Sequence, residues 1–402
     1  MCLFTATGLA VGGIADAEVF KPANENQVLE HSRATPGDPA TREMREWRRA
    51  LATDPTNLPL AIKLTRLCVE RSRAEADPRY LGYAQSALGP WWESPNPPLE
   101  ALVLRATIRQ SNHEFVSALA DLDLATRLDP QNAQAWLTKV TVLQVTGQIE
   151  AARRACLPLT RLAPELVAAT ALSQVASLGG NAKGAYETLR VSLARNRGAD
   201  SSIKGWALTA LAEIAIRLEH NNEATKFFRE AMGLGTRDPY LLAAYADFLL
   251  DEKRPDEVIE LLDNESRADA LLLRLALAKT ALPEATKAGH RSAAQLTEML
   301  NDRFAAARLR GSSVHRREEA IFRLKLRHDA AKALSLAAAN WGVQREPADA
   351  RILLESALAA RDPAVARPAL DWLAANHVED ARLEPLVREL ASMMATAATK
   401  AR

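Results

Sequence analysis

Cysteine, aromatic residues and strand-forming patterns are scarce in this sequence. The three cysteines, Cys2, Cys68 and Cys156, are too few and too scattered for a disulfide framework or a zinc site. Aromatic residues make up only 5% of the chain, and Val, Ile and Thr rarely alternate with polar residues as they do in strands. A net charge of +1 gives no general attraction to nucleic acid. The composition therefore argues against a β-rich, disulfide-stapled or nucleic-acid-binding protein.

Residue arrangements that carry catalysis or bind metals are also missing. The seven histidines are dispersed, and no two have the i, i+4 spacing that places two metal ligands on one helix face. No phosphate-binding glycine loop and no nucleophile elbow is present. Asp121 and Asp123 lie two positions apart on a predicted helix, so they point in different directions and make a poor acid/base pair. We therefore predict a protein that is not an enzyme and that needs no cofactor or metal.

Alanine and leucine dominate the apolar part of the chain. Apolar residues make up 48% of the sequence and charged residues 25%, as is usual in soluble folded proteins. Alanine and leucine are strong helix formers, so the composition favours helices. With 402 residues, the chain is longer than one hydrophobic core usually supports, which indicates several domains or one elongated array.

A repeat of 34 residues is the strongest pattern in the sequence. Ala118 and Ala152 lie 34 residues apart, as do Pro130 and Pro164. The clearest unit begins at Ala133, and its regularly spaced residues are Trp136, Leu143, Gly147, Ile149, Ala152, Cys156, Leu159 and Pro164. The preceding unit repeats the second half of this pattern with Phe115, Ala118, Leu122, Ala125 and Pro130.

The second half of the unit recurs along the chain as a small residue followed four positions later by a large one. Small residues let two helices approach closely, and large ones fill the gaps between them. Because one helix pair cannot bury its apolar face alone, neighbouring pairs must stack. Further copies begin at Glu43, Ala84, Ala185, Ala224, Val258, Ala330 and Ala366.

In these residues the chain resembles tetratricopeptide repeat proteins, and we interpret it as a bacterial-type member. The resemblance implies an all-α fold, a right-handed superhelical solenoid of antiparallel helix pairs. We place roughly nine or ten units in residues 38–377, on a unit length of about 34 residues. A capping helix and tail follow in residues 378–402. One unit near Ala294 cannot be aligned, so the boundaries between Ala268 and Ser313 stay open.

The resemblance also implies a binding surface, because the first helix of each pair lines the concave groove in this family. The positions that match the groove-facing ones are Glu100, Val103, Thr107, Gln110, Gln134, Leu137, Thr141, Gln144, Trp206, Thr209, Glu213, Tyr240 and Asp247. This mixture of polar and aromatic residues suits an extended peptide or protein segment held by side-chain amides and stacking. A hydrated wall that binds nothing is the alternative.

The N-terminus has features of a secretory signal peptide. Residues Leu3 to Ile14 are apolar or small, and Ala15-Asp16-Ala17 resembles a cleavage site. No basic residue precedes Lys21, however, so the usual basic start is missing. We expect residues 1–17 to be a signal peptide and residues 18–37 an extended leader, with a periplasmic or secreted mature protein. The alternative is a cytoplasmic protein, and no further segment is apolar enough to span a membrane.

Together these patterns predict a non-catalytic scaffold that binds a protein or peptide partner in the bacterial cell envelope. A cytoplasmic regulatory module and an accessory subunit of an enzyme complex are the alternatives. No nucleic-acid partner is expected.

Two segments allow a structural and a binding interpretation. Trp91 and Trp92 lie in a proline-rich loop, where they either pack between repeats or bind a partner. A basic stretch either forms a solvated helix face or binds an acidic partner. Its basic residues are Arg303, Arg308, Arg310, Arg316, Arg317, Arg323, Lys325 and Arg327.

Overall fold

The computed structural model describes residues 39–235, 238–265, 267–282, 292–311 and 314–400. The predicted signal peptide and the predicted leader lie outside the described residues, and so does Cys2. Within the described ranges the regular elements are helices, and no strand is present.

The helices follow one another with short connections. In chain order they are α1 (Pro39–Thr53), α2 (Leu58–Glu75), α3 (Arg79–Ala87), α4 (Gly89–Trp92), α5 (Leu99–Ser111), α6 (Phe115–Leu128), α7 (Ala133–Val145), α8 (Ile149–Cys156), α9 (Leu159–Leu162), α10 (Glu165–Ser177), α11 (Ala182–Arg195), α12 (Ser201–Arg217), α13 (Asn221–Gly233), α14 (Pro239–Asp251), α15 (Pro255–Leu262), α16 (Asp269–Ala281), α17 (Ala293–Leu309), α18 (Arg316–Lys325), α19 (Ala330–Trp341), α20 (Pro347–Ala359), α21 (Arg367–Ala375) and α22 (Glu384–Lys400). A short 3-10 helix, Pro363–Ala366, precedes α21.

The helices pack as pairs that stack in sequence. The two helices of a pair contact each other, as α5 contacts α6 and α12 contacts α13. The first helix of one pair also contacts the first helix of the next, as in α5 with α7, α12 with α14 and α14 with α16. Within the described residues, nine such pairs run from α2 to α21. The predicted all-α solenoid of helix pairs is confirmed.

Polar side chains fix where several helices begin. The first backbone N–H groups of a helix lack partners within it, and a side-chain oxygen just before the helix can accept from one of them. Asn132 accepts from the amide of Ala135 at 3.0 Å ahead of α7. Asp238 accepts from the amide of Tyr240 at 2.8 Å, and Pro239 occupies the first turn of α14, where its missing N–H costs nothing.

The core follows the small-and-large pattern of the second helices. The side chains of Ala118, Ala152 and Ala224 are fully buried, as are those of Leu122 and Phe228. An alanine lets the neighbouring helix approach, and the large side chain four residues later fills the space beside it. The spacing therefore predicted the core-facing side of these helices correctly.

The unit that could not be aligned consists of α16 and α17. Leu300, Phe304 and Ala307 are its buried residues at the corresponding spacing. Leu300 is large where the other second helices mostly have alanine or another small residue. The connection from Leu282 to Ser292 is also longer than most turns within a pair. Because of these two differences, residue spacing alone does not identify this unit as a repeat.

Trp91 and Trp92 lie in the single-turn helix α4 and pack, half-buried, against the core of the first pairs. The guanidinium of Arg105 donates to the carbonyl oxygens of Trp91 and Trp92 at 3.0 and 2.7 Å. The same guanidinium donates to both carboxylate oxygens of Asp121, at 2.9 and 2.7 Å. The tryptophans therefore support the junction between pairs, and Asp121 anchors the arginine that holds them.

The later part of the solenoid returns to the middle part. We call this junction the closing seam. It joins the turns that follow α7, α10, α12 and α14 to residues 345–382. Its backbone acceptors are Val145 O for Arg345 N at 2.8 Å, Gly147 O for Trp372 Nε1 at 2.9 Å and Arg217 O for Ala381 N at 3.1 Å. One apolar cluster runs through the seam and contains buried residues of α7, α8 and α10 together with residues of α18 to α22.

None of the described helices combines the length and the apolar character needed to cross a membrane.

Candidate functional site on the first helices

The predicted groove residues differ widely in how far they reach solvent. Glu100, Gln134, Thr141 and Tyr240 are exposed. Six others are partly exposed: Gln110, Leu137, Gln144, Trp206, Glu213 and Asp247. The remaining three, Val103, Thr107 and Thr209, are buried.

The buried three correct the expectation that every predicted position presents a side chain to a partner. Val103 belongs to the apolar cluster between α5, α6 and α7. The hydroxyls of Thr107 and Thr209 donate to carbonyl oxygens four residues earlier in their own helices, at 3.0 and 2.8 Å. Because these hydroxyls are satisfied within the helix and covered by neighbours, they offer no surface to a ligand.

Tyr240 and Glu213 are two predicted residues whose side chains meet across neighbouring helices. Tyr240 begins α14 and Glu213 lies in the preceding first helix, α12. The Tyr240 hydroxyl donates to Glu213 Oε1 at 2.5 Å. The pair therefore forms one polar unit across two neighbouring first helices.

Asp247 is engaged within the protein. Arg274 of α16 donates to both of its carboxylate oxygens, at 2.8 and 2.7 Å. The Arg274 side chain is almost fully buried, whereas that of Asp247 is 43% exposed. A two-bond pairing of this kind fixes both groups, so Asp247 stabilises the stacking of α14 on α16.

The predicted residues of α7 form a more open polar strip. The Gln134 amide donates to the Thr138 hydroxyl at 3.1 Å, and the Thr141 hydroxyl donates to Leu137 O at 3.1 Å. The indole of Trp136 donates to Pro130 O at 2.9 Å, and the Lys139 ammonium lies 5.1 Å from the centre of the Trp136 ring. Gln134 is exposed and Gln144 is partly exposed, so their amide groups are able to bind a partner's backbone.

Arg317 of the basic stretch adds positive charge to this region. It lies in α18, within 3.4 Å of Glu318, Glu346 and Asp349. Asp349 is buried and also accepts from the Asn340 amide at 2.8 Å. The arginine holds α18 against the start of α20.

Most of the other basic residues of this stretch are also paired within the chain. The carboxylate partners are Asp269 for Arg303, Glu319 for Arg308 and Arg323, Glu355 for Lys325 and Glu298 for Arg327. The stretch therefore forms several ion pairs within the chain, while Arg308, Lys325 and Arg327 are also exposed, as the interpretation as a solvated helix face requires. A basic run in a sequence does not show whether its carboxylate partners come from distant helices.

Electrostatics link Tyr240 to the later helices. Desolvation by the surrounding protein raises the pKa of Tyr240 well above its usual value, and the carboxylates of Glu213 and Glu346 add to the effect. Desolvation likewise raises the pKa of Glu213. Tyr240 nevertheless exposes 55% of its surface. It thus faces a water-accessible space with protein on several sides.

Glu346 has a strongly perturbed carboxyl group. Desolvation and the adjacent Asp349 carboxylate raise its pKa to about 7, against the lowering effect of Arg317. Desolvation also raises the pKa of Asp349. These groups lie between α18 and α20, so this region contains a carboxyl that changes charge near neutral pH.

The described residues also bear on metal binding and thiol chemistry. Over the ranges that the structure describes, no cluster of three or more His, Cys, Asp or Glu side chains could hold a metal ion. The cysteine thiols Cys68 and Cys156 are buried, and burial raises their pKa values to about 11 and about 12. Such thiols stay protonated and are poor nucleophiles.

No family model and no curated protein matches the sequence. Solved structures resemble it in fold. The alignment with a chain of the APC/C hetero-tetramer Cut9–Hcn1 covers 88% of this chain and 67% of that chain, with 12% identity and a TM-score of 0.49. The alignment with a tetratricopeptide repeat protein from Parabacteroides merdae covers 73% of this chain and 98% of that chain, with 14% identity and a TM-score of 0.36. The alignment with yeast Tom70 covers 90% of this chain and 93% of that chain, with 11% identity and a TM-score of 0.37.

The fold is a tetratricopeptide-like solenoid. The stacked helix pairs, the first helices packed side by side and the small buried residues of the second helices carry this conclusion. At TM-scores of 0.36 to 0.49 and identities of 11 to 14%, the similar structures are not part of the basis for it. They assign no partner to the inner wall.

Proposed function

We propose that this protein is a non-catalytic scaffold that binds a protein or peptide partner on the inner wall around Tyr240. One observation supports this most directly. Among the described Phe, Tyr and Trp residues, Tyr240 is the only one that is mainly exposed, and the others are buried or half-buried. Exposed aromatic rings are frequent anchors at protein interfaces, because they bury much surface at little entropic cost.

Glu213 beside Tyr240 and two glutamines of α7 indicate which chemistry such a partner would present. Glu213 uses one carboxylate oxygen for the Tyr240 hydroxyl and keeps acceptor capacity for a partner's N–H groups. Gln134 and Gln144 add amides that can both donate and accept. This set suits an extended segment whose backbone bonds to amides while an apolar or planar side chain stacks on the phenol ring.

A triple variant tests this assignment. We expect Gln134→Ala, Gln144→Ala and Tyr240→Ala together to reduce capture of partner proteins from the native source by about tenfold or more, the equivalent of about 1.4 kcal/mol. Capture is quantified by mass spectrometry of the proteins that co-purify with the full chain. Helicity measured by circular dichroism should not change, because none of the three side chains is part of the core.

The matched control is Arg190→Ala, which removes an exposed side chain from α11, a second helix. It should leave capture unchanged. Equal capture by the triple variant and the wild type would reject the inner wall as the binding surface.

We further propose that the scaffold works in the bacterial cell envelope. The apolar residues Leu3 to Ile14 and the tripeptide Ala15-Asp16-Ala17 support this part of the proposal. Mass spectrometry of the protein isolated from its native cells should find residue 18 as the first residue. An intact Met1 in the cytosolic fraction would reject export and leave the cytoplasmic regulatory module as the better interpretation.

A further inference from the structure

Tyr240 and Glu213 place an exposed aromatic ring beside a carboxylate. The hydroxyl of Tyr240 donates to Glu213 Oε1, so the ring and the carboxylate are held together. Among the described residues, no cationic group lies within 4 Å of the Glu213 carboxylate, and none lies over the face of the Tyr240 ring. Both groups therefore keep the capacity to interact with a cation that the described residues do not supply.

The first helix pairs show what such an arrangement binds in this protein. The guanidinium of Arg109 lies 5.3 Å from the centre of a Trp92 ring, and its Nη1 donates to Asp121 Oδ2 at 2.8 Å. One guanidinium is thus held by a ring and by a carboxylate, because the face of the ring attracts cations and the carboxylate accepts N–H bonds. Tyr240 and Glu213 offer the same two kinds of group.

Glu346 adds a second carboxyl group to this part of the inner wall. After desolvation, the charges of Glu213 and Glu346 are the main causes that raise the pKa of Tyr240. Glu213 also contributes to the raised pKa of Glu346, behind desolvation and the charge of Asp349. Glu213 and Glu346 therefore lie close enough for their like charges to repel, and a cation near both would relieve this repulsion.

The arginines of this region are engaged by other groups. Arg317 lies 3.4 Å from each of three carboxylates. Arg382 lies 3.3 and 3.7 Å from two further carboxylates, and the Arg217 guanidinium donates to Ser177 Oγ at 2.6 Å. Desolvation raises the pKa of Glu213 more than these three arginines lower it. The Glu213 carboxylate is therefore only partly compensated by the protein's own cations.

We propose that the inner wall binds an arginine side chain of the partner segment, whose guanidinium stacks on the Tyr240 ring, donates to Glu213 and is attracted by Glu346. A guanidinium fits these groups better than an ammonium, because it is planar, weakly hydrated and able to stack and donate at the same time. This inference rests on the proposed function for the place where the partner binds. It adds the class of side chain that is recognised there.

Probe peptides that differ in one side chain test the proposal without the natural partner. The peptide acetyl-Gly-Ser-Arg-Ser-Gly-amide is titrated into the full chain, and so is the same peptide with citrulline, which keeps the planar shape but carries no charge. Binding is measured from the ring signals of labelled tyrosine, which Tyr240→Phe assigns among the five tyrosines. We expect the Kd of the arginine peptide to be lower by about tenfold or more.

Three results of this titration would overturn the proposal. The first is an equal Kd for the arginine and citrulline peptides, or no saturable shift of the Tyr240 signals by the arginine peptide at millimolar concentration. The second is tighter binding of a peptide with glutamate at the variable position, which would mean that the nearby arginines attract an acidic segment. The third is equal binding of a lysine peptide, which would reject the stacked guanidinium.

A charge-removing variant tests the role of the carboxylate. We expect Glu213→Gln, which keeps the shape of the side chain, to weaken binding of the arginine peptide by about tenfold and to leave the citrulline peptide unaffected. The matched control is Glu187→Gln, which removes an exposed glutamate charge from α11, a second helix. It should leave both peptides unaffected. Equal weakening by the two variants would reduce the effect to general charge attraction and contradict the proposal.

The proposed function and the arginine assignment fail separately. Loss of capture by the triple variant, together with equal binding of the arginine and citrulline peptides, would keep the inner wall as the binding surface and reject the arginine. Undiminished capture by the triple variant would reject the inner wall as the surface for the natural partner. In that case, charge-selective peptide binding would leave a guanidinium site that the partner does not use, and the proposal would be wrong.

Discussion

At the scale of single residues, burial and pairing decide which predicted groove residues are available. Family resemblance marks positions along a helix, but it does not show what covers them. Val103, Thr107 and Thr209 match the groove-facing spacing and are nevertheless buried. Tyr240 and Gln134 match the same spacing and are exposed. The difference depends on neighbouring helices that are far away in the sequence.

Glu346 gives the inner region a pH-dependent stability. Its carboxyl has a pKa of about 7 in the folded protein and about 4.5 in the unfolded chain. The folded state therefore binds more protons between these values, and the contribution of Glu346 to stability is lost as pH rises through 7. Removing this carboxyl should stabilise the protein above pH 7 and change little near pH 4.5.

The variant Glu346→Gln tests this expectation. At pH 8 we expect its free energy of unfolding to exceed that of the wild type by about 1–3 kcal/mol, with the excess shrinking toward pH 4.5. Urea denaturation at a series of pH values gives both quantities. Desolvation lowers the pKa of His113 to about 4, so protonation of His113 destabilises the fold as pH falls from about 6.5. This opposite effect is the same in the variant and the wild type, so it cancels in the comparison. Parallel pH profiles for variant and wild type would contradict the account.

At the scale of helices, the repeat predicts the packing because each second helix must leave room for its neighbour. Ala185 and Leu189 of α11 show the rule, with the small residue 3% exposed and the large one fully buried. The unit of α16 and α17 shows its limit. Leu300 occupies the position of the small residue there, and its side chain is fully buried.

A pair of substitutions in α11 tests this packing rule. Ala185→Leu adds volume at a buried contact and should destabilise the protein by about 1–3 kcal/mol. Ala194→Leu makes the same change at an exposed position of the same helix and should stay within about 0.5 kcal/mol of the wild type. Urea midpoints measure both. Equal effects at the two positions would mean that the small residue is not needed for helix approach.

At the scale of the whole molecule, the sequence predicts the array but not its closure. Repeat spacing reports contacts between neighbouring pairs, which are about 34 residues apart. The seam instead joins residues 100 to 225 positions apart, such as Asp251 with Arg351 and Gly147 with Trp372. Its signal in the sequence is weak, since glycine is a common residue in such turns. Most other left-handed positions in the described turns are not glycine, and this comparison shows that Gly147 and Gly180 are exceptional.

The return of the C-terminal pairs to the middle of the solenoid is the central feature of the molecule's long-range packing. The most direct measurement of it is a nuclear Overhauser spectrum of protein labelled only in tryptophan and glycine. The account predicts a cross-peak between the indole N–H of Trp372 and the α protons of Gly147, because Trp372 Nε1 donates to Gly147 O at 2.9 Å. An indole proton of Trp372 that exchanges freely with water and shows no contact with any glycine would contradict it.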